Sequence, residues 1–172
     1  MQLRDLRRGD LEAMYALDVM CFPPPFRFTR AAMKRFAMAS NALVRLAIEA
    51  APEVATETSK PGAQERLPGF GIVHLEPSPE GLTGYVVTLD VHPAFRGQGL
   101  ASQLMDSLEH AAGAFGATVM ALHVYTENAP AIRLYERLGY RRVGRLREMY
   151  GTGLDAFCYR KPLDGPAGSD RS

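Results

Sequence analysis

The segment from Tyr85 to Val124 constrains the fold of this chain more than any other. It opens with YVVTLDV (residues 85–91), a run rich in β-forming residues. Pro93 ends that run, and the glycine-rich turn VHPAFRGQGLASQL leads into a helix that starts near Gly99. Leu100, Leu104, Leu108, Ala111, Ala112 and Phe115 recur on one face of this helix, and Gly113 and Gly116 close it. ATVMALHV (residues 117–124) reads as the next strand. Parallel strands need a long crossover, which a helix supplies, so a strand–helix–strand succession favours parallel neighbours.

The other elements arrange themselves around this unit. Asp10 can cap a helix carrying Leu11, Met14 and Tyr15 at helical spacing. CFPPPFRF (residues 21–28) breaks it, because consecutive prolines lack N–H donors. Thr29 can cap a second helix with Met33, Phe36 and Ala37 on one face. Strands are expected at 43–48 and 70–75, with residues 51–69 between them as a mobile surface loop. PSPEGLTG (77–84) reads as a turn before the strand at 85–91. Asn128 and Pro130 announce a short helix through Leu138, with Gly139 as its stop. Two last strands, 140–146 and 155–161, are joined by REMYGTG, and residues 164–172 form a disordered tail. The expected class is α/β in the α+β sense. It is a mixed central β-sheet with helices on both faces, in a single domain over residues 1–163.

Composition excludes several classes. Lys and Arg number 20 against 19 Asp and Glu, a net charge of +1, so no whole-surface attraction to nucleic acid or anionic membrane exists. Two cysteines rule out a disulfide framework or a cysteine-rich zinc site. His74, His92 and His110 show no metal-ligand spacing, and no metal is expected. The N-terminus lacks the apolar stretch of a signal peptide, and no apolar run reaches bilayer length. A cytoplasmic location is expected.

The glycine-rich turn carries the first chemistry. Gly97 and Gly99 let main chain approach a ligand, a helix N-terminus offers unpaired N–H groups, and Arg96 adds charge. That combination suits pyrophosphate, although a tight turn and cap would use the same residues. A dinucleotide fingerprint would want glycine where Ser102 stands, and a P-loop would want Gly-Lys-Ser/Thr.

Arg96-Gly97-Gln98-Gly99-Leu100-Ala101 resembles the R/Q-x-x-G-x-G/A motif of the GNAT superfamily of N-acetyltransferases. Asn128-Ala129-Pro130-Ala131-Ile132-Arg133-Leu134-Tyr135-Glu136-Arg137-Leu138-Gly139-Tyr140 resembles that superfamily's second motif, N-x-x-A-I-x-L-Y-E-x-L-G-F. The resemblance is densest from Tyr85 to Tyr159. It implies the GNAT fold, with acetyl-CoA as cofactor and its pantetheine arm between splayed parallel strands 85–91 and 117–124. It also implies cofactor contacts from Leu89, Asp90 and Val91, from Arg96 through Ser102, and from Asn128 and Tyr135. Capping of the short helix is by itself a sufficient role for Asn128.

Acyl transfer to an amine needs a base for the amine and an acid for the leaving thiolate. Tyr135 matches the tyrosine of the second motif and is the acid candidate; its alternative is a core aromatic. His123 is the base candidate. Ribosomal-protein acetyltransferases of the RimI type carry glutamate at the matching position, whereas NatE-type enzymes carry histidine in a Leu-His-Val string like Leu122-His123-Val124 here. In the NatE type a tyrosine opening a Y-x-x-T-L string relays a proton with that histidine, and Tyr85 opens such a string here, with water as one bridge between them. CFPPPFRF resembles the substrate loop of N-terminal acetyltransferases, which places Phe22, Pro23 and Phe26 on one wall of the acceptor site. The resemblance places the last hairpin, with Tyr150, on the opposite wall and assigns Val87 to the same acceptor site.

The implied function is acetyl transfer to the α-amine of a protein or peptide N-terminus, by direct attack in a ternary complex. An α-amine of pKa about 7.7–8.0 needs a mild base, whereas lysine near 10.4 would cost about 3 kcal/mol more to neutralise. Acetylation of lysine, of a small amine or of an antibiotic is the alternative, and a catalytically silent acyl-CoA-binding module is another. No membrane partner is expected, and no nucleic acid beyond what proximity to a ribosome would bring. Cys21 and Cys158 are not expected to act as nucleophiles.

Overall fold

The computed structural model describes residues 1–50 and 65–164. Its strands are β1 (Gln2–Asp5), β2 (Ala42–Glu49), β3 (Arg66–Ser78), β4 (Gly81–Val91), β5 (Ala117–Tyr125), β6 (Arg141–Leu146) and β7 (Ala156–Pro162). Its helices are α1 (Leu11–Cys21), α2 (Arg30–Ala37), α3 (Leu100–Ala114) and α4 (Ala129–Arg137). The strands form one sheet in the order β1-β2-β3-β4-β5-β7-β6, antiparallel throughout except where β4 meets β5. The mixed sheet and the central parallel pair are as the sequence predicts.

Alternation along the strands sends side chains to two cores. Phe70 and Ile72 of β3 join Leu46 of β2 against Met14 and Leu17 of α1 and Met33 of α2. Val73 and Val86 face the other way, with Leu122 and Val124 of β5, onto Met105 and Leu108 of α3 and Tyr135 of α4. The helices therefore cover both faces. Thr29 caps α2 through its side chain, accepting from the Ala32 N–H at 3.1 Å, and Asn128 caps α4, accepting from the Ala131 N–H at 3.3 Å.

Four local expectations change. Asp10 does not cap α1 with its side chain; it accepts from the Arg7 N–H at 2.6 Å and pairs with Arg4, holding a 3-10 turn at Arg8–Asp10. β1 is an added edge strand, too short for its alternation to show. The segment 77–84 is mostly strand, since Ser78 pairs with Gly81 and only Pro79 and Glu80 make the turn. Of the loop expected over 51–69, residues 66–69 belong to β3. Pro68 fits there because it serves as an acceptor, its carbonyl taking the His92 N–H at 2.8 Å. Residues 51–64 and 165–172 lie outside the described residues.

Gly71 marks the closest approach of sheet and α3. A Cβ there would sit 2.6 Å from Leu108 Cδ1. Gly71→Ala should destabilise the fold by about 1–3 kcal/mol, as overpacked cores do. Shortening Leu108 to Val in the same chain should recover part of that loss. Chemical denaturation measures both.

Candidate active site

The site begins where a ladder stops. β4 and β5 pair from Leu82 and Ala117 as far as Val86 and Leu122. Beyond that point β4 stays paired with β3 up to Val91, and β5 with β7 up to Tyr125, but not with each other. The two strands splay, and the inner edge of β4 keeps main-chain polar groups with no strand opposite. The cause is local. The pairs Ile72–Thr88 and Val73–Val86 leave Val87 as an extra residue, a β-bulge that bends β4. A cleft of about 820 Å3 fills the opening.

One end of the cleft is a main-chain cradle. Gly97 and Gly99 have φ of 74° and 79°, a left-handed backbone that glycine adopts without strain, and nothing lies within 4 Å of where their Cβ atoms would stand. Gly99 is the N-cap of α3, so the Leu100, Ala101 and Ser102 N–H groups in the first turn have no helical carbonyl to reach. Arg96 donates through Nε to the Val91 carbonyl at 3.0 Å and stays exposed at the rim. Gln98 turns its amide back on the Ala94 carbonyl at 3.0 Å, so its side chain is committed to the turn.

At the other end, Tyr85 and His123 meet directly. Tyr85 Oη lies 2.7 Å from His123 Nδ1, with no bridging atom between them. Burial pushes the Tyr85 phenol up to about 12 and His123 below its ordinary value. Both groups are therefore neutral at pH 7, and with the imidazole proton on Nε2 the phenol donates to Nδ1. Tyr135 lies across the cleft, in the core on the far face of the sheet from His123. Burial first, then the nearby Asp90 and Tyr150, raise its phenol well above 10. Its ring stands edge-on to Tyr140 at 5.7 Å, and α4 is further anchored by Tyr159, whose hydroxyl donates to Glu136 at 2.9 Å.

The wall beside residues 22–28 is aromatic. Phe22, Pro23, Phe26, Val87 and Tyr150 all line the cleft. Phe26 packs on Tyr125 at 4.9 Å and on Tyr150 at 5.1 Å. Tyr125 was not among the expected residues, though it directly follows Leu-His-Val. The Asp90 carboxyl is fully buried and turned from the cleft, while Leu89 and Val91 on either side line it; the contact expected of Asp90 is through its main-chain N–H. Its partner is Asp18 of α1, another residue that the sequence reading passed over. The available sign was a carboxylate one residue after Leu17 and four after Met14, on the apolar stripe of α1.

A profile of the acetyltransferase (GNAT) family matches residues 11–140. The chain belongs to that family. Among its relatives, N-alpha-acetyltransferase 30 of Schizosaccharomyces pombe is 37% identical over 78 residues, 45% of this chain and 52% of that protein. The N-terminal acetyltransferase B complex catalytic subunit NAA20 of Arabidopsis thaliana is 34% identical over 103 residues, 59% of each chain. The chain spans about half the length of these relatives. In fold it is similar to Arabidopsis thaliana NAA60 in complex with acetyl-CoA, with a TM-score of 0.77 at 24% identity, over 95% of this chain and 99% of that one. The ribosomal-protein-S18-alanine N-acetyltransferase of Escherichia coli gives 0.74 at 21% identity, over 99% and 98%. The GNAT fold is thus shared along nearly the whole chain. Among the described residues no helix is long and apolar enough to cross a membrane, and no cluster of His, Cys, Asp and Glu could hold a metal.

The Tyr85–His123 geometry makes a direct prediction. Imidazole 15N NMR should show His123 titrating below about 6.5, with Nδ1 unprotonated at pH 7. Ultraviolet titration should leave the Tyr85 phenol intact well above pH 10.

Proposed function

We propose that this protein transfers an acetyl group from acetyl-CoA to the α-amine of a protein or peptide N-terminus, with residues 1–163 as one acetyltransferase domain. The observation that carries the reading is the splayed cleft itself. It has a proton acceptor pair on one face of the sheet, a protonated phenol on the other, and a main-chain cradle at its end. Relatives named N-alpha-acetyltransferases support the choice of acceptor, and a neighbour of the same fold solved with acetyl-CoA supports the choice of donor.

The residues present fit such a donor. The first-turn N–H groups of Leu100, Ala101 and Ser102, with Arg96 at the rim, suit a pyrophosphate. The free edge of β4 at Val87–Val91 suits an amide-bearing arm that adds like a strand. Bound there, acetyl-CoA supplies an acetyl group activated as a thioester.

Each side chain then has one task. Tyr85 accepts a proton from the incoming ammonium while passing its own to His123 Nδ1, so the phenol never becomes phenolate. Neutral His123 is the final acceptor, and its low pKa suits an α-amine at about 7.7–8.0 better than a lysine near 10.4. Main-chain N–H groups of the β4 edge polarise the carbonyl that is attacked. Tyr135 holds a proton at neutral pH for the departing sulfur. Phe26, Tyr125 and Tyr150 enclose the first side chain of the acceptor, which favours a bulky apolar residue there.

Thiol release from acetyl-CoA, followed with short peptides whose N-termini are free or blocked, tests the reading. Activity is expected with free N-termini only; activity that survives blocking would transfer the function to lysine or small amines. Tyr135→Phe should lower kcat by about 10²-fold, with coenzyme A affinity little changed. The rate should rise with pH through the neutral range, as His123 stays neutral and the amine loses its proton.

A further inference from the structure

Asp18 and Asp90 bring two carboxyls together in the dry interior between α1 and β4, and both are fully buried. Asp18 Oδ2 accepts from the Phe28 N–H at 2.7 Å, and Asp90 Oδ1 accepts from the Thr88 hydroxyl at 2.6 Å. The remaining oxygens, Asp18 Oδ1 and Asp90 Oδ2, are buried and have no hydrogen-bond partner among the described residues. The two carboxyls are near enough for each to shift the other's ionisation. A bond between two carboxyl oxygens requires a proton on one of them, because an ionised carboxylate only accepts.

The pair also links two functional segments. Asp18 holds both ends of the loop 22–28: its main-chain carbonyl takes the Phe22 N–H at 2.9 Å, and its carboxylate takes that of Phe28. Asp90 sits between Leu89 and Val91, which line the cleft. Cys21, at the end of α1, adds a weaker tie from its thiol to the Val91 carbonyl at 3.4 Å.

We propose that Asp18 and Asp90 share one proton, and that this bond is a positioning device that sets the acceptor loop against the cofactor strand. The second half of the proposal rests on the function proposed above. The proton resides on Asp90. Asp18 has a main-chain N–H and the charge of Arg27 to stabilise its anion, whereas Asp90 has the Thr88 hydroxyl and the more distant Arg96. The other titratable groups that feel the Asp90 charge are the Cys21 thiol beside it, pushed up to about 11, and the Tyr135 phenol on the other face of the sheet, raised further. Both keep their protons through the neutral range, so titration there belongs to the carboxyl pair.

Carboxyl 13C NMR of the aspartates in the full chain tests the proton. One buried aspartate, absent in Asp90→Asn, should remain protonated at pH 7. If every aspartate ionises below about pH 5, the proposal fails. Thermal stability gives a second reading. The folded chain holds a proton that the unfolded chain releases, so wild type should lose stability relative to Asp90→Asn as pH rises above the ordinary aspartate value of about 3.9 and on through the neutral range. Parallel curves would overturn it. For positioning, Asp18→Ala should raise the peptide KM about tenfold while coenzyme A affinity holds. Asp18→Asn, able to accept from Phe28 and donate to Asp90, should restore that KM. An equal loss of coenzyme A affinity, or no change in KM, would refute the positioning role. Wild type that acetylates no peptide at all would instead fail the proposed function and leave the carboxyl titration to decide this one.

Discussion

Backbone hydrogen bonding between β4 and β5 ends at Val86 and Leu122, although each strand keeps its outer partner for several residues more. Everything at the site follows from that asymmetry. An interior strand becomes an edge within the sheet, between two helical layers, where it lines the cleft. The extra residue at Val87 does more than bend the strand. A one-residue insertion reverses the facing of all that follows. Val87 packs toward the α1 core and Leu89 toward α3, so Asp90 turns to α1 and meets Asp18. Without the bulge Asp90 would point into the Leu100 and Leu104 side of the sheet.

Desolvation then sorts the protons. It is the first cause of the shifts at Tyr85, Tyr135, His123 and Asp90 alike, and it acts on each according to which form is charged. Phenols and a carboxyl keep protons, and an imidazole gives its second one up. No strong ion pair is needed at the Tyr85–His123 contact, since a dry environment and one hydrogen bond place donor and acceptor in their roles.

The legible parts of the sequence were those governed by local chemistry. The crossover around Gly97 and Gly99, the caps at Thr29 and Asn128 and the facing of His123 opposite Leu122 and Val124 all follow from propensity and alternation. What escaped depends on partners far away in the chain. β1 is a strand because β2 offers an edge, and Pro68 sits in β3 because His92 needs an acceptor. The bulge at Val87 appears only in the register of β3 with β4. Asp18 was passed over because a single acid on a short helix looks like a surface residue until its partner 72 positions away is known.

The cradle before α3 has a consequence for how this region can vary. Its unpaired donors belong to the peptide bonds of Leu100, Ala101 and Ser102, whose N–H vectors are identical for almost any amino acid. Side chains there can drift without erasing the chemistry. The two glycines cannot, because the left-handed turns they allow aim those vectors. The aim of those donors is thereby concentrated in two positions that bear no side chain at all.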